Sequence, residues 1–293
     1  MNVPAAAAHA WLPLAKCDSS CVGVGDATEA RLRVMLRVAL RLALALLLAP
    51  GLPLIVVPMP GRSRAQRLYC RLVLRCLGVR ITVSGNPIRN LRGVLVVSPH
   101  ISWLDVFTIG SVLPGSFVAR ADMFTGRAVG VVARTLKIIP IERASLRRLP
   151  AVVDAVAGRL RAGQTVVAFP EGTTWCGARG DSAGRHGPSH QGCGAFYPAM
   201  FQAAIDAGRP VQPLRLTYHH TDGSVSTAPA FVGDDTLGRS IARLLTVRRT
   251  IARVRVESLQ LPGADRRDLA GRCQYAVGVG AARHPGHGHA LVA

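Results

Sequence analysis

Residues 93–105 read Gly-Val-Leu-Val-Val-Ser-Pro-His-Ile-Ser-Trp-Leu-Asp, an apolar run that stops at a proline and is followed by a histidine and an aspartate. The run predicts a buried strand over 93–98 that leads directly to His100. Ser102 is placed to cap a helix, which leaves His100 in the turn between strand and helix. From there the imidazole can reach Asp105, and the carboxylate would fix the ring tautomer and stabilise the protonated ring. The alternative is that Asp105 is only a capping acid and His100 only a loop residue.

A second block makes the catalytic interpretation stronger. Residues 165–173 read Thr-Val-Val-Ala-Phe-Pro-Glu-Gly-Thr, an apolar strand that ends in a turn. Open α/β sheets bind their ligands where strands end. Gly172 permits close backbone approach, and the Thr173 hydroxyl can donate to an anionic oxygen. We expect Glu171 to orient a substrate hydroxyl or to brace a nearby cation. The alternative is a plain turn, since proline and glycine end many strands.

Hydrophobic periodicity along the chain predicts an α/β fold. Apolar runs indicate further strands over 79–83, 138–141 and 211–218, and helical spacing indicates helices over 131–136, 145–162 and 196–207. This alternation predicts a mixed, largely parallel sheet flanked by helices. We assign residues 79–275 to this domain and predict a disordered tail over 276–293.

Charge and hydropathy favour a membrane surface over nucleic acid as the partner. The 293-residue chain carries a net charge of +20, and all but two of its basic residues are arginine. Aromatic residues make up only 5% of the chain, too few for a surface that stacks bases. The mean hydropathy is nevertheless positive, at +0.28. We therefore expect binding to an anionic membrane surface and no nucleic acid partner.

The seven cysteines are scattered and odd in number, which favours a reducing compartment over a disulfide framework. Cys176 and Cys193 bracket His186 and His190, but this spacing matches no common zinc pattern. We predict a flexible loop there, with no metal and no cofactor.

The N-terminal third predicts a membrane-associated segment. Residues 1–29 are expected to be a disordered leader, and residues 30–78 a helical hairpin that enters one face of the membrane. Residues 42–59 carry no charge, but prolines and a glycine interrupt them, which makes a straight spanning helix doubtful. Basic residues flank both sides of this stretch, as suits a segment that dips in and returns: Arg31, Arg33, Arg37 and Arg41 before it, and Arg62, Arg64, Arg67, Arg71 and Arg75 after it. A single span is the alternative, and the cytoplasmic face is the expected location.

Over roughly residues 90–220 the chain resembles the glycerolipid acyltransferases, which acylate lysophosphatidic acid and related lysolipids. The resemblance implies that His100 and Asp105, five residues apart, are the catalytic pair, and that residues 169–173 line the lysolipid head-group site. Ile-Pro-Ile-Glu-Arg over 139–143 is similar to a block whose arginine, here Arg143, contacts the acceptor phosphate. Val-Gln-Pro-Leu over 211–214 is similar to a block whose proline, here Pro213, shapes the acyl pocket. Bacterial members can also carry a two-helix membrane motif.

The reaction that this resemblance implies is direct acyl transfer. His100 would deprotonate the free hydroxyl of lysophosphatidic acid, which then attacks the thioester of acyl-CoA or acyl-carrier protein. The one Gly-x-Ser-x-Gly pattern in the sequence, over 180–184, lies in the Gly- and Ser-rich loop and follows no predicted strand, so we do not expect an acyl-serine intermediate. Thr174 stands where many lysophosphatidate enzymes have arginine, so another lysophospholipid or a lyso-ornithine lipid is the alternative acceptor. The sequence is also compatible with a thioester or lysolipid hydrolase and with a non-enzymatic membrane-binding protein.

Overall fold

A computed structural model describes residues 13, 15, 17–23, 30–51, 61–85, 91–121, 137–142, 145–177 and 194–279 of the chain. Within these ranges, seven strands form one sheet: β1 (Val79–Ser84), β2 (Leu95–Val97), β3 (Ser116–Arg120), β4 (Ile139–Ile141), β5 (Val166–Ala168), β6 (Val211–His219) and β7 (Thr250–Val256). Their order across the sheet is β1-β7-β6-β2-β5-β3-β4. Neighbouring strands run parallel except β6 and β7. The prediction of a mixed, largely parallel sheet is confirmed.

Seven α-helices are described: α1 (Arg31–Leu48), α2 (Arg62–Cys76), α3 (Asp105–Gly110), α4 (Leu149–Arg161), α5 (Ala199–Asp206), α6 (Leu237–Thr246) and α7 (Arg266–Val279). Short 3-10 helices cover Ser19–Cys21 and Leu146–Arg148. The helix predicted over 145–162 is therefore α4 preceded by a 3-10 turn. The helix predicted over 131–136 lies outside the described residues. Because α7 continues to Val279, the domain extends beyond the predicted boundary at residue 275.

Helices cover the sheet on both faces, and the strands show this in their alternation. In β2, Val96 packs into one hydrophobic cluster, whereas Leu95 and Val97 pack into the other. In β5, Val167 packs into the same cluster as Val96, and Val166 packs into the other cluster. The central strands are consequently buried on both sides, as their uninterrupted apolar runs predict.

The N-terminal helices are docked on this domain. Helix α1 contacts α2 and α6, and the Tyr69 hydroxyl of α2 donates to the carbonyl of Leu48 at 3.2 Å. Arg41 is only 8% exposed, so it is not the membrane-facing flank that the sequence predicts. Residues 52–60, between the two helices, lie outside the described ranges. Among the described helices, none combines the length and the apolar character needed to cross a bilayer.

Candidate active site

Strands β2 and β5 bring the two sequence blocks together. They are adjacent and parallel, with Val97 opposite Ala168, so their carboxyl ends meet at one edge of the sheet. His100 follows β2 by three residues, and Glu171 follows β5 by three. The site therefore lies where open α/β sheets place their ligands.

The predicted pairing of His100 with Asp105 is present. Nδ1 of His100 lies 2.8 Å from Oδ2 of Asp105. The histidine side chain is 15% exposed and the aspartate side chain is fully buried. Since Nδ1 faces the carboxylate, Nε2 is left as the ring nitrogen that can accept a proton from a substrate. Within the described residues, Nε2 has no hydrogen-bond partner.

Asp105 is held by donors from three directions, which offsets the cost of burying its charge. Its Oδ2 also accepts from the backbone amides of Ile101 at 2.7 Å and Ser102 at 2.9 Å. Its Oδ1 accepts from the Tyr218 hydroxyl at 2.7 Å. Burial, and then the charge of Asp105, raises the pKa of Tyr218 well above its usual range, so this phenol stays a donor.

The helix begins later than the sequence predicts. Ser102 does not cap α3, which starts at Asp105 itself. The Ser102 hydroxyl instead accepts from the Leu104 amide at 3.2 Å within the preceding turn. Asp105 closes this turn by accepting amides from the residues before it, so it both shapes the loop and holds the histidine. The two interpretations of Asp105 are therefore compatible.

Glu171 joins the two blocks from inside the protein. Its Oε2 accepts from the His100 amide and its Oε1 from the Gly194 amide, each at 2.7 Å. The side chain is 1% exposed, and burial raises the pKa of its carboxyl to about 8, although both amide hydrogen bonds act in the opposite direction. An acceptor hydroxyl could reach this carboxylate only by displacing an amide. The geometry therefore gives Glu171 a positioning role, whereas the predicted substrate contact stays a prediction.

The ring of Phe169 packs on the imidazole ring of His100. Its ring centroid lies 4.0 Å from that of His100, with 15° between the planes. Such stacking restricts rotation of the imidazole. The sequence places Phe169 at the end of a strand and at the start of the block over 169–173, but it does not predict the contact with His100.

The turn after β5 is tightly built. Gly172 has a φ of +68°, and a Cβ placed there would lie 2.6 Å from Cγ of Pro13. Thr173 is partly exposed and has no hydrogen-bond partner among the described residues, so its hydroxyl is available to a ligand. Thr174 donates its hydroxyl to the carbonyl of Phe231. Residue 174 thus has a structural partner in place of the phosphate contact an arginine would make.

The two remaining predicted site residues are Pro213 and Arg143. Pro213 is buried in β6 opposite Val97, beside the end of the strand that leads to His100. This position is compatible with the predicted acyl pocket. Arg143 lies outside the described residues, as do Cys193, His186 and His190 of the loop considered above for metal binding.

Tyr218 is the site residue that the sequence patterns did not identify. It lies 113 residues from Asp105 along the chain, and it was assigned only to the end of a strand. The only signal was that Tyr218 continues the alternating apolar positions Leu214 and Leu216 of its strand, because a buried phenol normally has a hydrogen-bond partner.

A histidine base held by a buried carboxylate at the edge of an α/β sheet is the machinery of a hydroxyl-activating enzyme. Comparisons with known proteins identify the class. Residues 80–217 match the family model described as Acyltransferase. The chain is 31% identical over 193 residues to the 1-acyl-sn-glycerol-3-phosphate acyltransferase of Neisseria meningitidis serogroup B, covering 66% of this chain and 70% of that protein. It is also 31% identical over 220 residues to the lyso-ornithine lipid O-acyltransferase of Pseudomonas aeruginosa, covering 74% and 78%.

The fold agrees with these matches. The crystal structure of the 1-acyl-sn-glycerophosphate acyltransferase PlsC from Thermotoga maritima superposes with a TM-score of 0.58 at 19% identity, covering 87% of this chain and 99% of that chain. The chain belongs to the glycerolipid acyltransferases, the family that includes the lysophosphatidate enzymes. It is therefore an acyltransferase of lipid biosynthesis.

Proposed function

We propose that the protein transfers a fatty acyl group from acyl-CoA or acyl-carrier protein to the free hydroxyl of lysophosphatidic acid, as a step of phospholipid biosynthesis. The observation that carries this proposal is the 2.8 Å contact between His100 and the buried Asp105, which leaves Nε2 to act as the base. Two relatives are named 1-acyl-sn-glycerol-3-phosphate acyltransferases, and this supports the choice of acceptor.

The proposed reaction needs no covalent enzyme intermediate. Nε2 of His100 takes the hydroxyl proton while the oxygen attacks the thioester carbonyl, and the new carbon–oxygen bond gives a tetrahedral intermediate. The tetrahedral intermediate then collapses, the carbon–sulfur bond breaks, and the imidazolium returns its proton to the leaving thiolate. Asp105 stabilises the positive ring between these two steps.

A lyso-ornithine lipid is the second candidate acceptor. Thr174, in place of the arginine of many lysophosphatidate enzymes, is bonded to the Phe231 carbonyl. One phosphate-binding cation is thereby missing, and an acceptor without a phosphate loses nothing by this. Four relatives, including that of Pseudomonas aeruginosa, are named lyso-ornithine lipid O-acyltransferases.

The test is product analysis with one labelled acyl donor and matched low concentrations of the two acceptors. Phosphatidic acid as the preferred product supports the first proposal, and acylated ornithine lipid supports the second. Donor use is compared in parallel with acyl-CoA and acyl-carrier protein. Release of free fatty acid at the same rate with and without an acceptor would identify a hydrolase and overturn both. The Arg143→Ala variant sharpens the test, because loss of a charge-assisted bond should reduce lysophosphatidate use roughly tenfold or more.

We also propose that α1 and α2 bind the protein to the cytoplasmic face of an anionic membrane. The side of α1 opposite Arg41 carries large apolar residues that are more than half exposed, namely Leu32, Met35, Leu36, Leu40, Leu46 and Leu47. On the Arg41 side of this helix, Leu40 also lines a cavity of about 680 Å³ together with arginines of α2, β1 and the α6–β7 connection, including Arg71, Arg75, Arg80, Arg248 and Arg249. Apolar side chains beside guanidinium groups suit the boundary between acyl chains and phosphates.

Vesicle sedimentation tests this membrane proposal. Leu36→Ser with Leu40→Ser should weaken binding at least roughly tenfold, because two leucines lose their burial in lipid. The matched control is Leu146→Ser with Leu261→Ser, which changes two exposed leucines outside α1. Vesicles with and without phosphatidylglycerol separate the arginine contribution. Equal binding by both double variants would refute the assignment of α1.

A further inference from the structure

Three thiols meet where the N-terminal segment crosses the turn after β5. Sγ of Cys17 lies 3.4 Å from Sγ of Cys176, and the sulfurs of Cys17, Cys21 and Cys176 all lie within 4.8 Å of one another. Cys17 and Cys21 lie at the 3-10 turn of Ser19–Cys21, which presents both thiols on one side. Cys176 is buried and follows Gly172 by four residues. None of these cysteines has a role in the proposed reaction.

We propose that Cys17, Cys21 and Cys176 form a three-thiolate binding site for a thiophilic cation, of which zinc is the representative. Zinc–sulfur bonds of about 2.3 Å in tetrahedral geometry place sulfurs about 3.8 Å apart. The sulfurs of Cys17 and Cys176 are 3.4 Å apart, and no two of the three sulfurs are more than 4.8 Å apart, so small side-chain movements would bring all three to that spacing. The Cys-x3-Cys spacing of the first two ligands is typical of zinc sites.

The hydrogen bonding at Cys17 suits a thiolate ligand. The Cys176 amide donates to Sγ of Cys17 at 3.4 Å, and such an N–H donor stabilises the negative sulfur of a metal thiolate. Without a metal, the hydrogen bond to the Cys176 thiol and then burial raise the pKa of Cys17 above its usual range. Zinc binding would displace the thiol protons, and water would complete the tetrahedron. Asp18, whose Oδ1 lies 4.0 Å from Sγ of Cys21, already binds Ser20 through that oxygen.

A disulfide is the competing use of these thiols, and the geometry favours it less. A sulfur–sulfur bond is about 2.05 Å long, so Cys17 and Cys176 would have to approach by more than an ångström. A disulfide would also leave Cys21 without a role.

A metal at this position would fasten the N-terminal segment to the catalytic domain. The segment contacts the domain at several further points: Pro13 lies against Gly172 and Asp18 against Gly233, and the Gly23 amide donates to the Thr227 hydroxyl at 2.7 Å. Three sulfur ligands would add a further constraint to these contacts.

Cobalt titration of the full-length protein tests the site. The protein, purified in detergent without a histidine tag, is reduced with a phosphine, freed of metal and titrated with Co²⁺. We expect the visible bands of tetrahedral cobalt and thiolate-to-cobalt charge transfer at one equivalent, both bleached by Zn²⁺. Cys17→Ala and Cys21→Ala should each weaken binding at least about a hundredfold. Cys76→Ala is the matched control, since it removes one partly buried thiol outside the cluster.

Three results would overturn the proposal. The first is the absence of a thiolate charge-transfer band in the reduced protein. The second is a band that persists in Cys17→Ala but disappears in Cys193→Ala, which would locate the metal elsewhere. The third is recovery of a Cys17–Cys176 disulfide peptide together with no cobalt binding after reduction, which would make the cluster a redox pair.

Hydrogen exchange gives an independent readout that does not depend on activity. At free Zn²⁺ of about ten times Kd, opening of residues 17–23 should slow roughly tenfold. In Cys21→Ala no slowing should occur. Unchanged exchange in the wild-type protein at saturating zinc would contradict the proposed link between this segment and Cys176.

Discussion

Asp105 and Arg41 are two buried charges of opposite sign, and each is stabilised by the protein backbone. Asp105 accepts from two amides, a phenol and the His100 ring. Arg41 donates through Nη1 to the carbonyls of Leu245 at 2.8 Å and Val247 at 2.7 Å, at the end of α6. The carboxylate thus accepts hydrogen bonds from several donors. The guanidinium donates hydrogen bonds to the carbonyls that a helix leaves unsatisfied at its C-terminus.

The two charges differ in whether their hydrogen-bond partners leave a polar atom accessible to a ligand. Around Asp105, one partner is a partly exposed ring that retains a nitrogen for chemistry. Arg41 is directed entirely inward, and a Cβ on Gly78 would lie 2.0 Å from its Nη2, so the neighbouring backbone is shaped around it. The network of Asp105 thus ends at a partly exposed ring, whereas that of Arg41 ends in the backbone at the end of α6.

The largest expected effect is loss of activity at the exposed end of the Asp105 network. His100→Ala should reduce acyl transfer by about 10²- to 10⁴-fold, because it removes the proton acceptor. The fold should persist, since the ring is partly exposed and makes no contribution to the core clusters. Initial rates and circular dichroism on the same preparation check both expectations. A folded variant within threefold of the parent would disprove the base.

Two further variants test other members of the Asp105 hydrogen-bond network. Asp105→Asn should be comparably severe, because an amide cannot stabilise the imidazolium and turns a donor toward other donors. Tyr218→Phe removes one of several donors to Asp105, and its expected cost is about 1–3 kcal/mol of stability with activity largely kept. If Tyr218→Phe abolishes activity as fully as His100→Ala, Tyr218 has a direct role in the reaction.

The second prediction concerns the pH dependence of stability that the buried carboxyl of Glu171 causes. Glu171 has a pKa of about 8 in the fold against its usual 4.5, so the folded chain holds its proton more tightly than the unfolded chain. Stability from this group is therefore present below about pH 4.5 and falls as pH rises toward about 8. Glu171→Gln cannot titrate and should lose this dependence, while its amide group turns a donor toward one of the two backbone amides and lowers stability equally at every pH. The wild-type protein should lose on the order of a few kcal/mol relative to the variant across that window.

Urea unfolding at about pH 5 and about pH 8 measures this difference. Asp154→Asn, at an exposed position of α4, is the control and should follow the wild-type profile. Parallel pH profiles for the wild type and Glu171→Gln would show that Glu171 is ionised in the fold throughout the window.

The third prediction tests the other buried charge. Arg41→Met keeps an apolar stem but leaves several carbonyls at the end of α6 without their donor. Loss of charge-assisted hydrogen bonds should lower the unfolding free energy by about 1.5–3 kcal/mol. Arg33→Met, two turns earlier on the exposed side of α1, is the matched control and should have little effect. Equal losses in both variants would mean that Arg41 does not hold α1 on the domain.

The parts of this structure that the sequence predicts are those set by local pattern. Apolar runs identify β2 and β5, and parallel pairing brings their ends together. The five-residue spacing of His100 and Asp105 then suffices for the dyad, because the contact is local. Glu171 was found as a site residue, but its role was not, since the sequence does not show which groups its oxygens face.

The parts that the sequence does not predict depend on contacts between distant segments. Arg41 resembles a membrane flank in the sequence, and its partners lie more than two hundred residues further along the chain. Tyr218 and the cluster of Cys17, Cys21 and Cys176 are likewise assembled only by the fold. Spacing along the chain carries no signal for such contacts, and one sequence offers no covariation between positions.

The smallest expected effect comes from Gly172, where backbone strain and a close contact can be separated. Gly172 and Gly208 both have positive φ, at +68° and +58°, but only Gly172 has a neighbour, Pro13, within reach of a Cβ. Gly208→Ala should therefore cost about 1–2 kcal/mol from backbone strain alone. Gly172→Ala should cost about 1 kcal/mol more, because the added methyl group displaces Pro13.

A double-mutant cycle isolates that extra cost. Pro13→Gly in the Gly172→Ala background should relieve the clash but not the strain, so the double variant should match Gly208→Ala in urea unfolding. Displacement of Pro13 should also expose the N-terminal segment to limited proteolysis in Gly172→Ala but not in Gly208→Ala. If the two single variants are equally stable and equally resistant to protease, the segment does not rest on the turn after β5. The contact between the N-terminal segment and the turn after β5 would then have to be abandoned, while the pairing of His100 with Asp105, which does not involve Pro13, would stand.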